Sequence, residues 1–97
     1  MSRLWQAIRD AIVEERYLIS FHADERCEER GMSSWQLAAE VEAAELWRER
    51  PSSQPHASVI LRQALASGEA VFAIWAWLPI ESKALLVTVY FETPDDA

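Results

Sequence analysis

The stretch from residue 71 to residue 78 is apolar at every position, and it constrains the fold more than any other part of the chain. A strand would divide its side chains between two faces. One set is Val71, Ala73, Trp75 and Trp77, and the other is Phe72, Ile74, Ala76 and Leu78. A sheet with one face in water alternates apolar and polar residues, whereas this stretch does not. Either a core surrounds it on both sides, or helices cover one face and a partner covers the other.

Trp75 and Trp77 leave two interpretations open. Tryptophan is enriched at protein interfaces, which predicts a homodimer that associates through these two side chains. Tryptophan also fills compact cores, and in that interpretation both side chains pack beneath the helices.

The second half of the chain predicts a sheet. Residues 57–65, 70–78 and 84–91 are the predicted strands, joined by turns at 66–69 and 79–83, and residues 46–50 are a candidate fourth strand. Short connections of this kind are typical of an antiparallel meander. A loop containing Pro51 and Pro55 separates this half from a helical first half.

The first half predicts helices. Leu4, Ile8 and Ile12 recur every fourth residue behind Ser2, a favourable cap. Residues 22–30 are helix formers that end at Gly31, and Ser20 or His22 could start that helix. Residues 17–21 fit either a brief strand or a connector.

A third helix is predicted from a capping box. Ser33 and Gln36 have the S-x-x-Q spacing, and Met32 can pack on Leu37 as a hydrophobic staple. The apolar stripe then continues to about residue 44 or 45. The predicted fold class is therefore α+β, with two to three N-terminal helices packed on a three- to four-stranded antiparallel sheet.

Composition bounds the function. The chain has 97 residues, enough for one domain, and a net charge of −7, which argues against tight binding to a phosphate backbone. Its single cysteine, Cys27, cannot form a disulfide within the chain, which favours a reducing cytoplasm. The longest apolar run, residues 70–80, is too short to span a bilayer, so we expect no membrane association.

His22, Arg26 and Arg30 lie four residues apart and share one face of the predicted second helix. A histidine beside two guanidinium groups could hold a phosphate and transfer a proton, as metal-independent RNA cleavage requires. Alternatively His22 caps the helix, and the arginines pair with nearby carboxylates. Those carboxylates are Asp24, Glu25, Glu28 and Glu29.

The remaining candidates are weaker. Tyr90, on the last predicted strand, could orient a phosphate or simply cover the edge of the core. His22 and Glu25 form an H-x-x-E pair, but His56 is distant and Cys27 completes no zinc spacing, so we predict no metal and no cofactor. Cys27 is expected to be a small buried hydrophobe.

Two motifs give a family resemblance. Residues 20–23 (SFHA), Arg26 and residues 29–33 (ERGMS) resemble the signature of domain-of-unknown-function family 4258, and residues 86–90 (LVTVY) with Pro94 resemble its terminal strand. The resemblance divides a single domain, 1–97, into an N-terminal helix extension (1–16), a family core (17–91) and an acidic tail (92–97).

The resemblance implies a fold similar to RelE-like and BrnT-like toxins, which include ribonucleases. It implies that His22 and Arg26 are the functional polar positions, with Arg30 and Tyr90 in support. The expected function is a ribonuclease-like toxin or a degenerate relative, with RNA and an antitoxin-like protein as partners, although the acidic charge disfavours RNA. The alternative is a non-catalytic interaction module that self-associates through the apolar strand.

Overall fold

The computed structural model describes residues 2–94 and shows an α+β fold with three helices and a five-stranded sheet. The helices are α1 (Arg3–Val13), α2 (Phe21–Glu29) and α3 (Trp35–Ala39), followed by a 3-10 turn (Val41–Ala43). The strands are β1 (Tyr17–Ile19), β2 (Glu45–Arg50), β3 (Ser58–Ala64), β4 (Ala70–Leu78) and β5 (Lys83–Tyr90). Of the predicted acidic tail, residues 95–97 lie outside the described residues.

The sheet is mixed, with strand order β1-β5-β4-β3-β2. Strands β2 to β5 form the predicted antiparallel meander, and residues 45–50 supply the candidate fourth strand. The prediction of a wholly antiparallel sheet of three to four strands was wrong at one edge, where β1 pairs parallel to β5. A three-residue strand carries too little pattern to reveal a pairing partner almost seventy positions away, and only the tertiary fold decides it.

Serine caps fix the first two helices as predicted. The Ser2 hydroxyl accepts a hydrogen bond from the Trp5 N–H at 3.0 Å, and the Ser20 hydroxyl accepts one from the Ala23 N–H at 3.0 Å. Gly31 has a φ of +72°, the left-handed conformation that ends a helix without a Cβ penalty.

The third helix is shorter than predicted. The capping box is only half formed, because the Ser33 N–H donates to the Gln36 side chain at 3.3 Å while the Ser33 hydroxyl makes no cap. At Glu40 the backbone leaves the helical region, with φ −109° and ψ 20°. The chain continues as a 3-10 turn that buries Val41.

The core lies between the helices and one face of the sheet. The strand residues in it are Val59, Leu61, Val71, Ala73, Trp75, Ala84, Leu86 and Val89. Trp75 is 0% exposed and Trp77 packs partly buried against the same cluster. The core interpretation is confirmed for Trp75, which offers no surface to a second copy, whereas Trp77 is only partly buried.

The opposite side of the sheet, which we call the open face, has its own small apolar cluster. Ile60, Phe72 and Ile74 are buried there, with Ala70 packed against them. No residue of a described helix belongs to this cluster. The helices therefore cover one face of β4 only, as one of the two sequence interpretations required.

Strand β5 contains a bulge at Val87. Trp75 of β4 pairs with Leu86, whereas the preceding Ile74 pairs with Thr88, so Val87 is an extra residue with no partner in this ladder. After the bulge, Val89 points into the core and Tyr90 points to the open face, where it lies opposite Phe72.

Candidate functional site

Ser20 fixes the start of α2 to the bulged strand. Its N–H donates to the Leu86 carbonyl at 3.0 Å, and its hydroxyl donates to the Val87 carbonyl at 2.8 Å while it caps the helix. This small polar side chain satisfies a helix end and a strand carbonyl at once. Helix α2 consequently lies along the second half of β5.

Arg26 and Tyr90 are brought together by this docking. The Arg26 Nε–H donates to the Val89 carbonyl at 2.8 Å, and its guanidinium carbon lies 5.8 Å from the centre of the Tyr90 ring. One turn later the guanidinium carbon of Arg30 lies 4.3 Å from the centre of the Phe91 ring. Both distances are in the range of cation–π contacts. We call Arg26, Arg30, Tyr90 and Phe91 the α2–β5 corner.

His22 lies in the first turn of α2, one turn before Arg26, and its side chain is exposed. Within residues 2–94 it makes no side-chain hydrogen bond, and the helix is capped by Ser20 instead. The interpretation of His22 as the cap was therefore wrong. The imidazole shares a helix with both arginines and is exposed to solvent.

The arginines of the corner do not pair with the carboxylates of α2. The described part of the chain has ion pairs at Arg9–Glu42 (3.3 Å), Arg16–Glu14 (2.9 Å) and Arg62–Glu45 (3.7 Å), and none at Arg26 or Arg30. Asp24, one of those carboxylates, accepts a hydrogen bond from the Ser34 hydroxyl at 2.7 Å. The alternative of local ion pairs was wrong, because both guanidinium groups lie against aromatic rings.

Two cavities of the structure lie away from the α2–β5 corner. One cavity of about 280 Å³ lies between α1 and α3, beside Trp35 and Tyr17. Another of about 340 Å³ lies between α3 and the turn after β3, beside Met32 and Leu65. Neither cavity is lined by a residue of the corner, where Arg30 and Tyr90 are exposed and Arg26 is half-buried.

Cys27 lies on the buried face of α2 and is a free thiol. Burial, with a smaller contribution from the Asp24 carboxylate, raises the pKa of Cys27 above its ordinary value of 9.0. A protonated, enclosed thiol is a poor nucleophile. This agrees with its interpretation as a small hydrophobe.

Residues 2–94 contain no group of three or more His, Cys, Asp or Glu side chains placed to hold a metal ion. Nor does any of their helices have the length and apolar character needed to cross a membrane.

The sequence did not predict the contacts of two aromatic side chains, Phe91 and Trp47. Phe91 contacts Arg30, and its only signal in the sequence was an aromatic residue at the end of the last predicted strand. Trp47 lies on the open face, with its ring centre 5.2 Å from that of Phe72 and the two planes at 72°. Its position on an edge strand next to arginines was visible in the sequence.

No protein-family model, curated protein or solved structure matches this chain.

Proposed function

We propose that the protein is a metal-independent ribonuclease-like module that receives an RNA phosphate at the α2–β5 corner. The observation that carries the proposal is the pair of guanidinium groups, Arg26 and Arg30, which have no carboxylate partner among the described residues. An unpaired guanidinium offers its donors to a phosphate in bidentate geometry.

Each residue has a role that follows from its position. Arg26 is held by the Val89 carbonyl through Nε, which leaves its terminal nitrogens available to a phosphate oxygen. Arg30 adds a second charge one helical turn away, and Tyr90 supplies a hydroxyl beside Arg26. The geometry favours stabilisation of the negative charge that develops on the non-bridging oxygens of the reacting phosphate.

His22 is the proton-transfer group of the proposal. In the cleavage step the 2′-oxygen of the RNA attacks phosphorus, and the bond from phosphorus to the 5′-oxygen breaks. A base removes the 2′ proton, and an acid delivers a proton to the departing 5′-oxygen. An exposed imidazole can perform either transfer once a substrate is bound.

The proposal also includes a location in the cell and a protein partner. A cytoplasmic location is supported by the lone, buried and unpaired Cys27. The resemblance to family 4258 and to toxin folds supports an antitoxin-like partner that covers the corner.

The test is cleavage of single-stranded RNA by the purified protein in the presence of a chelator. Substitution His22→Ala should lower the cleavage rate about 10²- to 10⁴-fold, the usual contribution of an acid–base group. Arg30→Ala should weaken RNA binding and cleavage together. Expression of the wild-type chain should arrest growth, and His22→Ala should relieve the arrest.

The chain offers matched controls. His56→Ala removes the other imidazole, which lies in the loop before β3, and Arg3→Ala removes an exposed guanidinium from α1. Both should cleave RNA like the wild type. Wild-type protein that leaves RNA intact would reject the proposal, and so would a His22→Ala variant with undiminished cleavage.

A further inference from the structure

We infer that the open face of the sheet is a binding surface for single-stranded RNA. The inference deepens the proposed function, since it rests on RNA as the substrate and names the strand form and the surface that hold it. Three observations carry it: an aromatic strip, a local excess of positive charge, and continuity with the α2–β5 corner.

The aromatic strip consists of Tyr90, Phe72 and Trp47. Tyr90 of β5 is the direct cross-strand partner of Phe72 on β4, and the Trp47 ring packs edge-on against Phe72. Trp47 belongs to β2, two strands from β4, so its ring must lean across β3 to make that contact. Phe72 is 3% exposed and forms the floor, whereas Trp47 and Tyr90 are 39% and 38% exposed.

Two half-exposed rings on a rigid sheet suit unpaired bases. Base stacking on aromatic side chains tolerates any sequence, because every base has a π-face. A duplex hides those faces within its own stack, and its grooves present phosphates and base edges instead. The geometry therefore favours a single strand over a double helix.

Charge is distributed unevenly between the two sides of the sheet. The strand register directs four cations, Arg48, Arg50, Arg62 and Lys83, to the open face. Among the described strand residues one carboxylate, Glu45, shares that face, and it already pairs with Arg62 at 3.7 Å. The chain as a whole has 16 acidic residues and a net charge of −7. The strand residues of the open face nevertheless include more cations than carboxylates.

This asymmetry discriminates between the occupants of the face. A second copy docked on the same surface would place two sets of cations against each other, which costs free energy. A phosphate backbone complements those cations, and the exposed rings contact its bases. Nucleic acid is therefore the better match for both features.

The surface is continuous with the corner. Tyr90 belongs to both, because it is the cross-strand partner of Phe72 in the sheet and its ring lies under Arg26. A strand of RNA that crosses the sheet from Trp47 to Tyr90 reaches the guanidinium groups of α2. The open face would thus select and align the chain that the corner acts on.

The test uses a labelled ten-nucleotide RNA with 2′-O-methyl groups, which lacks the attacking hydroxyl and cannot be cleaved. Binding is followed by fluorescence anisotropy at low salt. Trp47→Ala should weaken binding about tenfold or more. Trp35→Ala, which removes a tryptophan that is 59% exposed on α3, should change it less than about twofold.

A second variant keeps the test independent of packing around Trp47. Arg48→Ala should lower the slope of log affinity against log salt by about one, whereas Arg3→Ala should not. A duplex of the same length should bind more weakly than the single strand.

Equal binding by Trp47→Ala and Trp35→Ala would overturn the inference, as would preference for the duplex. A dimer that Trp47→Ala dissociates, without any effect on RNA, would overturn it as well.

Failure of this inference and failure of the proposed function are distinguishable. Tight binding of the methylated strand, without cleavage of unmodified RNA, supports the open face and rejects the nuclease. Cleavage that depends on His22 but is insensitive to Trp47→Ala supports the nuclease and rejects the open face.

Discussion

At the scale of single residues, Cys27 is the side chain whose chemistry the fold alters most. Its thiol is enclosed in the core, and burial raises its pKa. We expect native protein to react with a thiol reagent far more slowly than denaturant-unfolded protein, in a timed colorimetric assay. Native and unfolded chains that react at the same rate would show that the thiol is accessible.

The same shift predicts a dependence of stability on pH. The unfolded thiol ionises around its ordinary pKa of 9.0, whereas the folded thiol stays neutral to higher pH. Its contribution to the free energy of unfolding is therefore complete below about pH 9 and is lost as the pH rises through the raised folded value. Denaturant titrations between pH 7 and 10 should show a decline that is shallower in Cys27→Ala.

Single residues also show where sequence reasoning stops. The alternation of Val71, Ala73 and Trp75 placed them on one face of β4, and the structure confirms it. Whether that face met helices or a partner was undecidable, because periodicity assigns side chains to faces and says nothing about what covers a face.

At the scale of elements, the Ser20 side chain both caps helix α2 and binds strand β5. Ser20→Ala removes both the cap to Ala23 and the hydrogen bond to the Val87 carbonyl. We expect the free energy of unfolding to fall by about 1–3 kcal/mol. Ser2→Ala, which removes only the cap of α1, should cost about 1 kcal/mol. Chemical denaturation of both variants measures the difference, and an equal or smaller loss for Ser20→Ala contradicts the double role.

The elements that were predicted well share a strong local signal. Helix α1 has a serine cap and a fourfold apolar repeat, and β4 has nine apolar residues bounded by turns. The elements that were predicted poorly lack such a signal. Strand β1 is three residues long, and the apolar stripe of the third helix runs on past the break at Glu40. Tertiary contacts decide such segments.

The α2–β5 corner could likewise be predicted only in part from the sequence. The four-residue spacing of His22, Arg26 and Arg30 placed them on one helix from sequence alone. The contacts of Arg26 with Val89 and Tyr90 depend on the docking of α2 along β5, more than sixty residues away, which no local pattern encodes. The resemblance to a family linked the two motifs, but it gave no contact between them.

At the scale of the whole molecule, stability should be graded across the sheet. Strands β3, β4 and β5 have neighbours on both sides, whereas β2 and the three-residue β1 lie at the edges. Amide hydrogen exchange should therefore be slowest in β4, at residues such as Ala73 and Trp75, and faster in β1 and β2. Protection in β1 that equals protection in β4 would contradict this order.

The bulge at Val87 determines which face of the sheet each later side chain of β5 occupies. A strand alternates sides with each residue, so one extra position inverts the assignment of every later side chain. If Val87 instead paired with Ile74 in a regular ladder, Val89 would point outward and Tyr90 would turn toward the helices, which would separate its ring from Phe72 and from Arg26. One inserted amino acid thus decides whether an aromatic ring belongs to the interior or to the surface that meets a ligand.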